Sequence, residues 1–256
     1  MGKLDTAAGH PTTPPDQVLA IAHRGDPVAH RENTLEAFES ARALGADMIE
    51  LDCRTTRDGQ VVVLHDATLE RLWGVNKAIN QLEWAEVNRI RSGGYRIPLF
   101  AEALSAVDLP VMVDLPDPAA AEPSYQVALR SGALGRCYFA GNTAGLSRVR
   151  ELSAAANIAL TWDRRELPPA PLLAELQPQW WNPYHRLASP QAVEWAHSAG
   201  MGVSAWTVDR PQDIKAVLAA GVDAIISNHT ALLLAQLSRS GNGKAGASEH
   251  PGPPSG

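Results

Sequence analysis

Cysteine is scarce: Cys53 and Cys137 are the only two in 256 residues, and both sit in apolar, strand-like surroundings. A disulfide framework is excluded, and two buried free thiols in a reducing compartment are the expectation, with a single bridge as the alternative. Long apolar runs are missing as well. None reaches the ~18 residues of a transmembrane helix, and the opening MGKLDTAAGHPTTPPDQ lacks the apolar core of a signal peptide. A cytoplasmic protein is therefore expected. A basic stripe is missing too: 22 Lys and Arg stand against 28 Asp and Glu, mixed along the chain, for a formal net charge of −6. That leaves no row of phosphate contacts for a nucleic acid. No G-x-G-x-x-G follows the first apolar run, which argues against a dinucleotide-binding open sheet. No feature specifies an oligomeric state.

What is present is a repeating unit. Residues 1–16 are rich in Pro, Thr and Gly and read as a disordered lead-in, and 238–256 read as a disordered tail. Between them, 17–237 form one domain in which short apolar runs (VLAIAH, DMIELDC, VVVLH, VMVDL, CYFAG, IALTW, WWN, VSAWTV, DAIIS) alternate with helical stretches. Segments such as NTLEAFESARALGA and PQDIKAVLAAG carry apolar residues every three or four positions and close on Gly. Repeated βα units with near-continuous apolar strands imply a parallel sheet covered on both faces. Their number predicts an α/β fold of the (β/α)8 TIM-barrel type, with its site at the C-terminal strand ends.

One connection breaks the pattern. Asp52 to His65 is too short for a βαβ crossover, and Asp58-Gly59 in its middle is a hairpin-turn signal. An irregular β-hairpin after strand 2 is predicted, with His65 across from Asp52.

The strand ends carry His23 and Arg24, Glu50 and Asp52, His65 and Asp66, and Asp114. Glu50 and Asp52 are two apart on a strand and share a face. Carboxylates projected together repel, and burial raises one pKa unless a cation holds them. An all-oxygen set suits one hard divalent cation, Mg2+ or Ca2+, with Asp114 closing the cage. Two imidazoles flanking such a pair are suited to act as base and acid on a reacting phosphorus. Arg24 offers a planar fork to a phosphate oxygen.

HRG at 23–25, ENT at 32–34, IELDCRTTRDGQVVVLHD at 49–66, RIPLFAEAL at 96–104, AWTVD at 205–209 and GVDAIISN at 221–228 resemble the glycerophosphodiester phosphodiesterase family, in the right order over nearly the whole domain. The resemblance implies a phospholipase-C-like TIM barrel that hydrolyses glycerophosphodiesters to glycerol 3-phosphate and an alcohol with one divalent metal. By position, Glu50 and Asp52 match the family's metal carboxylates, His23 and His65 its catalytic pair, and Arg24 its phosphate contact. Glu32 either lines the site or lies outside it, and Asn33 reads as a helix N-cap with Glu36 as its capping-box partner. The family's strand-four Glu-x-Lys is replaced by Asp114 and Pro116. The lost Lys calls for another cation, such as Arg54, or for a changed substrate. Trp206 belongs to the matching segment and reads as a substrate contact, Trp162 and Trp181 equally as pocket wall or core. Asn182 and Tyr184 are placed near the pocket, and His185 on a loop. Two rival readings stand beside hydrolysis. One is a sphingomyelinase-D-like or lysophospholipid enzyme releasing a cyclic phosphate, with a lysolipid headgroup as partner. The other is a weakly active binding barrel.

Overall fold

The computed structural model describes residues 17–239. The expected disordered segments lie outside the described residues, except Ser238 and Arg239, which end the last helix. The strands are β1 (Leu19–His23), β2 (Met48–Thr55), β3 (Val61–Val63), β4 (Thr68–Leu69), β5 (Val75–Ala78), β6 (Val111–Leu115), β7 (Cys137–Gly141), β8 (Asn157–Trp162), β9 (Trp180–Pro183), β10 (Gly202–Ala205) and β11 (Ala224–Ser227). The α-helices are α1 (Leu35–Leu44), α2 (Glu70–Trp73), α3 (Trp84–Val87), α4 (Phe100–Ala106), α5 (Ala121–Arg130), α6 (Thr143–Leu152), α7 (Ala170–Leu176), α8 (Pro190–Ser198), α9 (Pro211–Ala220) and α10 (Thr230–Arg239).

Eight strands run parallel in the order β1-β11-β10-β9-β8-β7-β6-β2, and β1 pairs with β2 to close the barrel. The fold is the expected TIM barrel. β3 adds to β2 antiparallel, as the predicted hairpin, with Cys53 facing Val63 and Thr55 facing Val61. The register differs from expectation by one residue: Leu64, not His65, lies across from Asp52 and donates its N–H to the Asp52 carbonyl at 2.9 Å. Thr56 pairs with Gln60, so three residues close the turn and its axis passes through Asp58. The segment between β3 and α4 carries β4, β5, α2 and α3, none of which the sequence pattern announced.

Apolar periodicity puts the core in three places. The largest lies between strands and helices, built from residues such as Phe38, Ile49, Leu51, Phe100 and Phe139. Cys53 and Cys137 are buried free thiols, as expected. Inside the barrel, Ile21, Met48, Met112, Tyr138, Trp180 and Ile226 form a second core. A third, under the β3–α4 segment, joins Val62, Leu64, Leu69, Trp73, Ile79, Leu82, Val87 and Ile97. The helices start and stop on ordinary signals. Thr34 caps α1 by accepting from Ala37 N, and Gly45 ends it at φ +99.

Candidate active site

Inward-facing positions change character along the strands. Near the barrel floor they are apolar, and one step further toward the C-terminal ends they become polar. Met48 is followed by Glu50 and Asp52, Met112 by Asp114, Ala159 by Thr161, Trp180 by Asn182, and Ile226 by Asn228. The result is a cavity of about 220 Å³ walled by His23, Arg24, Glu50, Asp52, His65, Asp114, Thr161, Asn182 and Trp206, with Met112 and Ile226 as its floor. The structure therefore brings His23, Arg24, Glu50, Asp52, His65, Asp114 and Trp206 together, as expected, and leaves Glu32 behind Arg24.

His23 ends β1. Its Nδ1 is 2.8 Å from Asn228 Oδ1, and Asn228 Nδ2 donates to Asp209 Oδ2 at 2.8 Å. That amide orientation leaves Asn228 only an acceptor for the ring, so Nδ1 carries the hydrogen. Nε2 is left bare, 3.8 Å from Glu50 Oε2. Burial, followed by the charge of Arg24, lowers the His23 pKa below the usual histidine value, which keeps the ring neutral. His65 approaches from the hairpin. Its Nδ1 is 2.7 Å from Asp66 Oδ1. Hydrogen bonds from Arg71 hold the Asp66 pKa down to about 2, so Asp66 is ionised and only accepts. Nδ1 of His65 therefore also carries a hydrogen, and Nε2 is the atom left for proton exchange.

Arg24 adopts φ +58 and Asn33 also adopts φ +58, a left-handed conformation that non-glycine residues rarely take. Each is fixed by what it holds. Arg24 N donates to Glu50 Oε2 at 3.0 Å, its Nη1 to Glu32 Oε1 at 2.9 Å, and its Nε lies 3.2 Å from Asp52 Oδ2. Asn33 Nδ2 donates to Asp52 Oδ2 at 2.7 Å. Asn33 is thus no N-cap, since Thr34 takes that role and Glu36 has no capping-box partner there. The sequence reading missed it because Asn and Thr are both good caps, and only a contact 19 residues away distinguishes them. Gly25 (φ +86) allows this turn to press on α1: a Cβ there would stand 2.7 Å from the Ala37 carbonyl carbon.

Three carboxylates face the cavity with one guanidinium among them. Burial, then repulsion from Asp52 and Asp114, holds the Glu50 carboxyl well above the usual range. Desolvation, then Asp52, pushes Asp114 up to about 7. Gly141 makes room for that side chain, since a Cβ there would lie 2.9 Å from Asp114 Oδ1 and 2.7 Å from Leu115 N. Among the described residues, no group of three or more His, Cys, Asp or Glu side chains is drawn in to hold a metal ion. The donor chemistry nevertheless fits one. Carboxylates whose proton affinity is raised by each other's charge gain most from an added hard cation. Pro116 brings no cation to replace the family's Lys. Arg54 shares the face of Glu50 and Asp52, donates from Nε to the His65 carbonyl at 2.7 Å, and its charge opposes the rise at Asp114.

Trp206 Nε1 is tied to the Asn182 carbonyl at 2.8 Å, so its ring rather than its N–H serves the cavity. Asn182 also lines it, accepting from Ser204 and donating to Thr161. Tyr184 stacks edge-on against Trp206 at 5.8 Å, outside the wall. Trp162 and Trp181 belong to the core. Sequence reasoning missed Asn228 and Asp209 as the support of His23, although both stand in the segments that carry the resemblance. It also missed Arg71, which no motif marked.

Comparison with known proteins settles the family. Residues 23–232 match the Glycerophosphoryl diester phosphodiesterase family. The chain belongs to that family. Such enzymes are phosphoric diester hydrolases. A "Glycerophosphodiester phosphodiesterase" of Caldanaerobacter subterraneus subsp. tengcongensis is 28% identical over 236 residues, covering 85% of this chain and 97% of the relative. A "Probable glycerophosphodiester phosphodiesterase 2" of Mycobacterium tuberculosis is 32% identical over 241 residues, covering 84% and 89%. In fold, this family member is similar to a solved phosphodiesterase of Oleispira antarctica in complex with the product sn-glycerol-3-phosphate. Its TM-score is 0.76 at 20% identity, over 87% of this chain and 97% of that one.

Proposed function

We propose that this phosphodiesterase hydrolyses glycerophosphodiesters to glycerol 3-phosphate and an alcohol, using His23 as base and His65 as acid and requiring one divalent cation, Mg2+ or Ca2+. The observation that carries the reading is the paired anchoring of the two rings. Each has its Nδ1 engaged, by Asn228 or by Asp66, and each lines the same acidic cavity. The solved relative that holds sn-glycerol-3-phosphate supports the product. Glu50, Asp52 and Asp114 would hold the cation, which supplies neutralisation of phosphoryl charge when bound.

The rest is work for this chain's own side chains. Arg24 orients a phosphate oxygen with its fork. The neutral His23 Nε2 takes the proton of the nucleophile, water or the neighbouring glycerol hydroxyl. By the hydroxyl route a cyclic phosphate forms first, and water opens it in a second step to leave glycerol 3-phosphate. As the new P–O bond forms and the bond to the leaving alcohol breaks, a proton passes from His65 Nε2 to the departing oxygen. The Trp206 ring packs against the glycerol carbons, and Arg54 stands in for the missing Lys near the phosphate. We place the reaction in the cytoplasm, on the two buried unpaired thiols.

The test is a panel of glycerophosphodiesters and lysolipids with Mg2+, Ca2+ or chelator, scored by product. Glycerol 3-phosphate released from glycerophosphocholine only when metal is present is the expected result. A stable cyclic phosphate as end product, or binding without turnover, would overturn the hydrolytic reading.

A further inference from the structure

Arg71 belongs to no barrel strand. It sits in α2, one turn of helix within the β3–α4 segment, yet its guanidinium reaches two carboxylates at the barrel mouth. Nε donates to Asp66 Oδ2 at 2.6 Å and Nη2 to Asp66 Oδ1 at 3.0 Å. Along its other edge, Nη2 donates to Glu32 Oε1 at 2.7 Å and Nη1 to Glu32 Oε2 at 3.1 Å. Each carboxylate has a second partner in the cavity wall. Asp66 Oδ1 takes His65 Nδ1 at 2.7 Å, and Glu32 Oε1 takes Arg24 Nη1 at 2.9 Å. One side chain thus closes a chain of alternating charge, Arg24–Glu32–Arg71–Asp66–His65, between the phosphate arginine and a histidine of the site.

Two features separate this from an ordinary surface ion pair, which contributes little. The first is that the helix bearing Arg71 is pinned. Leu69 and Trp73, on either side, are buried in the third core. The Arg31 guanidinium also lies 4.9 Å from the Trp73 ring centre, while its Nη1 donates to the Leu72 carbonyl at 2.6 Å. The second is geometry: a planar fork with donors on two edges serves two carboxylates at once, which an ammonium cannot do. Burial works against ionisation of Glu32, but Arg71 and Arg24 outweigh it and hold its carboxyl below the usual range. Without the guanidinium, two ionised groups would face each other across the gap and swing away from the rings and forks they hold.

We infer that Arg71 is a positioning residue for the reaction: from outside the barrel it fixes Asp66 against His65 and Glu32 against Arg24. The otherwise peripheral β3–α4 segment thereby becomes the brace of the site. This inference rests on the acid–base reading given above.

The experiment is steady-state kinetics on glycerophosphocholine with divalent metal, with melting temperatures, for six proteins beside the wild type. These are Arg71→Gln, Arg71→Lys, Asp66→Asn, the Arg71→Gln/Asp66→Asn pair, His65→Ala and, as control, Arg148→Gln, whose exposed pairs with Glu122 and Glu151 lie away from the site. Arg71→Gln should lose about 10–100-fold in kcat, the scale of removing a partner that orients a reacting group, with KM changed less. Arg71→Lys should recover only a small part of that loss. The double variant should lose clearly less than the product of the two single losses, because Arg71 and Asp66 share the arm to His65 and only the Glu32–Arg24 arm is added, whereas a general structural loss would multiply. Should Arg71→Gln fail to fold, Arg71→Lys with a near-native melting temperature decides, and wild-type kcat in it overturns the inference. Multiplying losses, or wild-type kcat in folded Arg71→Gln beside a crippled His65→Ala, overturn the inference alone. Full activity in His65→Ala overturns the acid–base reading as well.

Discussion

His23 and His65 face one cavity from two differently built regions. His23 lies at the end of a barrel strand, its side chain 15% exposed, and leans on a neutral amide, Asn228, itself gripped by Asp209. His65 stands at the foot of a hairpin, its side chain 41% exposed, and leans on an ionised carboxylate held by Arg71. A buried ring on an amide prefers to be neutral, while a wetter ring on a carboxylate has a counter-charge ready when it carries a proton. The difference in surroundings supports the proposed roles, with the barrel wall offering the base and the hairpin the acid.

The largest effect should come from the rings themselves. His23→Ala and His65→Ala should each lower kcat by ~10²–10⁴ if they transfer protons, measured on glycerophosphocholine with metal present. The comparison can next be broken by exchanging supports. Asp66→Asn should cost about 10–100-fold in kcat. Asn228→Asp should give His23 a counter-charge, keep it protonated to higher pH, and move the acid limb of the kcat/KM profile upward by about one unit. An unmoved limb would remove the argument from His23's surroundings. A smaller effect is expected at the site of the lost Lys: Arg54→Ala should raise KM by about tenfold with kcat little changed, the worth of one charge-assisted contact. Unchanged KM would mean that the phosphate is held without it.

The smallest effect is on stability. Asp114 folds with its pKa raised from 3.8 to about 7, so the folded chain holds an extra proton between those values, and stability falls as pH rises through that window. In chelator, Asp114→Asn should therefore raise the melting temperature more at pH 8 than at pH 5, by about 2–5 °C. Equal gains at both values would show that the carboxylate carries no such burden.

Much of this was legible in the sequence because it is local. Alternating apolar runs and helical spacing announced the barrel. Spacing of two put Glu50 and Asp52 on one face, and Asp58-Gly59 announced the hairpin that brings up His65. What stayed hidden depends on contacts between distant segments. Whether Asn33 or Thr34 caps α1 is decided by Asp52, whose carboxylate takes the Asn33 amide. The one-residue shift that pairs Leu64 with Asp52 comes from a three-residue turn that a dipeptide signal does not specify. Arg71 was invisible for the same reason. Its meaning lies in Glu32, 39 residues earlier, and in a short helix held in place by the third core and by Arg31.

The central claim, that His23 is the base and His65 the acid, is tested most directly by changing how much the leaving group needs a proton. Both alanine variants should be assayed on glycerophosphocholine and on the corresponding 4-nitrophenyl diester, whose phenolate departs unprotonated. His65→Ala should regain most of its lost rate on the nitrophenyl ester, while His23→Ala stays impaired on both. Recovery by His23→Ala in place of His65→Ala, or equal impairment of both variants on both substrates, would contradict the assignment.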